Sequence, residues 1–111
     1  MSAGTYNFTL EQGTTFSRVL TLQENGSAMN LTGYSVASQM RSTHDSSSIV
    51  ATFTGTVSNA SSGQITLSLS NSTTSGIDEA IYVYDVEITS GAGVVTRILE
   101  GNITVTPEVT R

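Results

Sequence analysis

The chain's single histidine lies in the run Ser42-Thr43-His44-Asp45-Ser46-Ser47-Ser48, where a nucleophile, a base and a carboxylate occur side by side. A serine hydrolase needs a His to take the Ser proton and an Asp to hold that imidazole. Neighbours within one flexible loop do not hold such geometry, and Ser/Asp clusters are ordinary turn chemistry. The run is therefore read as an exposed loop. Zinc sites draw on several His, Cys or acidic ligands. One His and no Cys make a poor metal site. Asp78-Glu79 and Asp85-x-Glu87 are the acidic clusters. Asp85 and Glu87 share a strand face and could hold one cation or serve glycoside hydrolysis. No loop of alternating carboxylates surrounds them, so ion pairing with Arg41, Arg18 or Arg97 is the stronger reading. A charge among apolar strand residues must find a partner or an edge. Arg41 is the expected partner of Asp85. No catalytic residue, cofactor site or metal site is assigned, and no enzymatic activity is expected.

All six Asn residues (Asn7, Asn25, Asn30, Asn59, Asn71 and Asn102) precede a Ser or Thr by two positions. That is the N-glycosylation pattern of secreted proteins. The opening MSAGTYNFTLEQG lacks a basic start and an apolar core, so no signal peptide is read. Asn and Ser/Thr also share turns and strand edges, which suffices to bring them together.

The elements that must carry these residues have period two. TYNFTL places Tyr6, Phe8 and Leu10 on one face, and TTFSRVLTL places Phe16, Leu20 and Leu22 in phase around Arg18. Glu24-Asn25-Gly26 is a tight-turn signal. GYSVASQMR, SIVATFTGTV, QITLSLS, AIYVYDVEI and VVTRILEGNITVTPEV continue the alternation. Ile49, Ala51 and Phe53 are expected inward, with a bend at Gly55 and a bulge at Glu100-Gly101. AIYVYDVEI is apolar on both faces in its first half, as in a strand central in its sheet or covered by a partner. NSTTSGIDEA holds at most one helical turn, capped by Asn71 or Ser72. Pro107 ends the last strand. Seven to nine short strands in 111 residues predict one all-β domain, an antiparallel β-sandwich of immunoglobulin-like shape.

Composition narrows the function. The net charge is -5, and the four basic residues are all Arg. A chain without basic stripes is unsuited to nucleic acid and to a polybasic membrane anchor. No run approaches the roughly 18 apolar residues of a membrane helix. About one third of the residues are Ser or Thr, and none is Lys. Free sheet faces usually carry Lys and Glu. Hydroxyl faces without lysine suit lateral packing in a repetitive assembly, because a buried hydroxyl costs less than a buried ammonium. The bland alternative is the preference of Thr for strands.

Taken in order, the opening F…QG.TF, NLTGYSVASQMR, GQITLSLSNSTTSGI, AIYVYDVEI and GVVTRILEGNITVTPEVTR resemble small virion proteins of tailed bacteriophages. The series is similar to the N-terminal β-sandwich domain of phage baseplate upper proteins (the BppU-like family), from about Tyr6 to Arg111. The resemblance implies an attachment module without chemistry, assembled in a bacterial host cytoplasm and docked in the virion. It would meet tail, baseplate, neck, fibre or capsid proteins and be present in many copies as a homo-oligomer. The chain ends at Arg111 without a fibre or receptor-binding part, which leaves its place in the virion open.

Three docking surfaces are expected. The first is the N-terminal segment Ser2–Phe8, with Ser2, Thr5, Tyr6 and Phe8 adding a strand to a neighbour. The second is the C-terminal tail, with Thr106, Pro107, Val109 and Arg111. The third is His44 and Asp45 together with the loop at 58–63. Capsid decoration is the first alternative role. A carbohydrate-binding module is the second, weakened by the absence of Trp and by tyrosines in strand positions. Mass spectrometry of native material should show the bare polypeptide mass, whereas added hexose would overturn the viral reading.

Overall fold

The computed structural model describes residues 4–24 and 26–109. Strands dominate. In chain order they are β1 (Gly4–Thr5), β2 (Phe8–Glu11), β3 (Phe16–Thr21), β4 (Gln23–Glu24), β5 (Ser27–Ala28), β6 (Ser35–Arg41), β7 (Ala51–Asn59) and β8 (Gln64–Leu69). A single turn of helix, α1 (Asn71–Ser75), precedes β9 (Ala80–Thr89) and β10 (Val95–Thr106). The strand order is β1-β10-β9-β6-β7-β8-β3, with β2 also on β10 and β4-β5 a separate hairpin.

The sheet is mixed, not purely antiparallel as the alternation suggested. β1 and β2 run parallel to β10, while the remaining pairs are antiparallel. The N-terminal segment crosses the molecule to lie beside the C-terminal strand, and local alternation carries no record of strand direction. β7 divides the sheet. Its first residues pair with β6 (Phe53 with Ser38), and from Thr54 onward it pairs with β8. The strand path curls back on itself. Phe8 on β2 and Phe16 on β3, near opposite ends of that path, stack with ring centroids 5.2 Å apart.

One core fills the curl. It takes Leu10, Phe53, Ile65, Leu67, Tyr84, Val86, Ile88 and Ile103 from the inward positions of five strands. The expected phase holds along β8, where Ile65, Leu67 and Leu69 are buried and the intervening side chains half-buried. It fails at Ile49, which is 46% exposed because β7 begins only at Ala51. β9 lies between β10 and β6, which accounts for its apolar content, yet Ile81 on its outer face is 66% exposed. The helical turn is capped by Ser70, rather than Asn71 or Ser72. Its hydroxyl accepts from the Thr73 amide at 3.3 Å.

Two glycines permit close approaches. The irregularity in β10 falls between Arg97 and Leu99, so Ile98 is the extra residue and Glu100-Gly101 is no bulge. Gly101 instead leaves room for the Tyr6 carbonyl, which a Cβ would overlap. Just past the point where β7 changes partner, a Cβ on Gly55 would stand 2.8 Å from Val36 Cγ1 and 3.2 Å from the Val36 carbonyl oxygen. Gly55→Ala should therefore destabilise by about 1–3 kcal/mol. Thermal unfolding should show a midpoint lower by at least about 4 °C; an unchanged midpoint would mean that the close approach is not constraining.

Candidate functional site

Aromatic rings organise the N-terminal part of the chain. Phe8 meets Phe16, Tyr84 and Phe53 at centroid distances of 5.2, 5.1 and 6.5 Å. Arg18 points inward from β3, with its guanidinium 5.5–5.9 Å from the rings of Phe8, Phe16 and Tyr6. It also donates to the Tyr6 hydroxyl. The Tyr84 hydroxyl donates to the Tyr6 carbonyl at 2.6 Å. Burial, with the nearby Tyr6 adding to it and Arg18 opposing, pushes the Tyr84 phenol up from 10.0 to about 12. Phe8 is thus a core residue rather than a docking residue, and Tyr6 is half-buried in its own molecule. Thr5 is exposed, but its backbone is paired with β10 opposite Glu100. The segment expected to join a neighbour's sheet is occupied with its own from Gly4 onward. Ser2 and Arg111 lie outside the described residues.

The C-terminal expectation divides. The Thr106 carbonyl accepts from the Gln12 amide at 3.0 Å, and the Glu108 amide donates to Gln12 Oε1 at 3.0 Å. Gln12 holds the chain on both sides of Pro107, which is itself exposed. Val109 is 91% exposed.

A shallow groove of about 400 Å³ runs over the outer face of β6, β9 and β10. Arg41, His44, Asp85, Glu87, Arg97 and Glu100 line it, so the acidic pair Asp85 and Glu87, two of its expected arginine partners and His44 share this surface. Arg41 and Asp85 nevertheless form no pair. Asp85 pairs with Arg97 at 3.3 Å, the one ion pair among the described residues. In the ladder Asp85 stands opposite Gln39 on one side and Glu100 on the other, and Arg41 stands opposite Val83. Arg41 donates instead to the Ser46 carbonyl at 2.8 Å and Gln39 Oε1 at 2.9 Å. It thereby anchors the 42–48 loop. His44 and Asp45 are exposed, and among the described residues neither hydrogen-bonds to a serine. With Arg97 exposed and Asp85 half-buried, the pair is open to solvent and contributes at most about 1 kcal/mol.

The outer face of β3, β8 and second-half β7 differs. Ser17, Ser68 and Thr54 form one row across the three strands, and Val19, Thr66 and Thr56 the next. Thr21 and Gln64 continue it, and none of these outward residues is charged. The wall was legible as alternating Thr and Ser, but its assembly from three strands was not.

Two of the Asn-x-Ser/Thr runs have a local role. Asn30 Oδ1 accepts from the Thr32 amide and hydroxyl, at 3.0 and 2.7 Å. Asn59 Oδ1 accepts from the Ser61 hydroxyl and the Ser62 amide, both at 3.2 Å. Asn7 Oδ1 accepts from the Asn102 amide at 2.8 Å and fills the gap between β1 and β2. Asn25 lies outside the described residues.

Comparison with protein-family models and with curated proteins finds no match. The resemblance to baseplate upper proteins therefore rests on the ordered segments of the sequence.

Tyr84→Phe leaves the Tyr6 carbonyl without its donor and should cost about 1 kcal/mol. Because the folded phenol is raised, the stability it carries is complete below pH 10.0 and is lost as the pH rises toward about 12. Urea titrations across that window should show a shallower alkaline decline for the variant than for the wild type. Parallel declines would exclude Tyr84 as their source.

Proposed function

We propose that this chain is a non-enzymatic structural protein of a tailed-phage virion, an adaptor acting at tail, baseplate, neck or fibre attachment through protein–protein contact. The carrying observation is the uncharged hydroxyl wall on β3, β8 and β7. A free protein of this size keeps its sheet faces charged for solubility. Five charged residues, Arg41, Asp85, Glu87, Arg97 and Glu100, line instead the groove of β6, β9 and β10. A wall mostly of Thr and Ser loses little on desolvation once its hydroxyls find partners, and it packs against another surface without stranding a charge. Many copies in a symmetric ring or shell make weak contacts collectively strong.

In this reading the curled sheet is a β-sandwich of the immunoglobulin-like kind. The switch of partners along β7 supports it, since that switch leaves β6, β9 and β10 in one leaf and β8 and β3 in the other. The exposed Pro107 and Val109 and the 42–48 loop remain available as contact points.

Thr56→Lys, exposed in the middle row of the wall on its β7 side, should leave the fold within about 0.5 kcal/mol of wild type. It should reduce the copies incorporated per particle several-fold, as quantified by mass spectrometry of purified virions. Normal incorporation would remove the wall from the assembly. Particle reconstruction should place the copies on the tail or neck; copies over the whole shell would make the protein a capsid decoration instead.

A further inference from the structure

We propose that the free edge of β3 pairs with the β3 edge of a second copy, antiparallel and across a two-fold axis through Val19. This deepens the assembly reading by naming one surface and one partner.

Among the described residues β3 has a ladder partner on one side alone, β8. Soluble proteins guard such edges with Lys, Pro, bulges, short strands or inward charges. β3 has six residues, no Pro, no Lys and a regular register throughout. Its one charge, Arg18, is committed to three aromatic rings and the Tyr6 hydroxyl, so it does not guard the edge. The other end of the strand path is built differently. There β1 and β2 are separated at Tyr6-Asn7, and an Asn side chain replaces backbone pairing. That edge is interrupted, whereas the β3 edge is continuous.

The sequence of the edge selects a second copy as its occupant. Antiparallel pairing about a two-fold axis sets some residue opposite itself. Centring on Arg18 or Val19 gives the greatest overlap of Phe16–Thr21 with its mate. Centring on Arg18 would oppose two guanidinium groups, and like charges directly opposite destabilise a sheet. Centring on Val19 opposes Val19 to Val19, Ser17 to Thr21 and Arg18 to Leu20. Val19 is 56% exposed in the single chain, and this pairing covers it. The hydroxyls of Ser17 and Thr21 meet as cross-strand hydrogen-bonding neighbours. The two uncharged walls then join edge to edge as one surface twice as wide. A strand edge alone buries less area than a permanent dimer needs, so the pairing is weak and concentration-dependent.

Charge swapping at the axis tests this. Sedimentation equilibrium in about 0.15 M salt, where the charges of two acidic chains are screened beyond about 8 Å, should show a monomer–dimer equilibrium for the wild type. Val19→Lys and Val19→Asp should each raise the dissociation constant at least tenfold. Mixed in equal amounts they should form a heterodimer at least as tight as the wild-type pair. Circular dichroism of each variant, unchanged from wild type, separates lost pairing from lost folding. A wild type that stays monomeric to millimolar concentration overturns the proposal and leaves the edge to a strand of another protein. Wild-type dimers with variants that dimerise equally well, or a mixture that stays monomeric, overturn it too. Incorporation of Val19→Lys into virions at wild-type level, with its self-association lost, would show that assembly uses other surfaces.

Discussion

The structure depends on contact between the ends of its own sheet. Phe8 on β2 stacks against Phe16 on β3, with Phe53 and Tyr84 packed beside them. Each such pair is worth about 0.5–1.5 kcal/mol beyond its buried area. Arg18 lies against the same rings and donates to the Tyr6 hydroxyl, so a cation is drawn into the aromatic seam rather than into solvent. Tyr6 is tied again by Tyr84 through its carbonyl, over a position where β10 carries a glycine. Leu10 in the core and the Gln12 bond to the Ile77 carbonyl also hold the N-terminal strands, but the aromatic seam is what joins β2 to β3.

Hydroxyl groups serve several purposes in a chain this rich in them. Some close turns on Asn side chains, as Thr32 and Ser61 do. Ser70 caps the helical turn, and Thr74 joins that turn to the Thr14 carbonyl at 2.7 Å. Ser38 is buried in β6 and donates to the Asp85 carbonyl at 2.6 Å. Among the described residues no buried side-chain polar atom lacks a partner. Polar groups in the core thus cost little, because each has exchanged water for a protein acceptor. The hydroxyls on the β3, β8 and β7 wall stand apart from these roles, and that difference is why the assembly reading begins there.

The two outer faces divide the chemistry. Arg41, Asp85, Arg97 and the 42–48 loop give one side a charged, water-facing groove. The outward rows of β3, β8 and the second half of β7 are uncharged, and they end at the β3 edge. Such asymmetry suits a subunit that meets neighbours on one side and solvent on the other. In the proposed assembly, electrostatics would set orientation while backbone pairing and shape supply the contact.

Period-two alternation in the sequence determined which residues turn inward along β8 and β9, and the turn residues determined most strand limits. Pro107 marks the end of β10 as expected, because it has no amide proton to give. These are local properties, carried by neighbouring residues. Tertiary structure alone decided that β1 and β2 run parallel to β10, that Phe8 is core and that Asp85 meets Arg97 rather than Arg41. It also decided that Thr and Ser from three separate strands form one wall. Each of these depends on which strands lie side by side and in what register, and that is settled by packing between segments far apart in the chain.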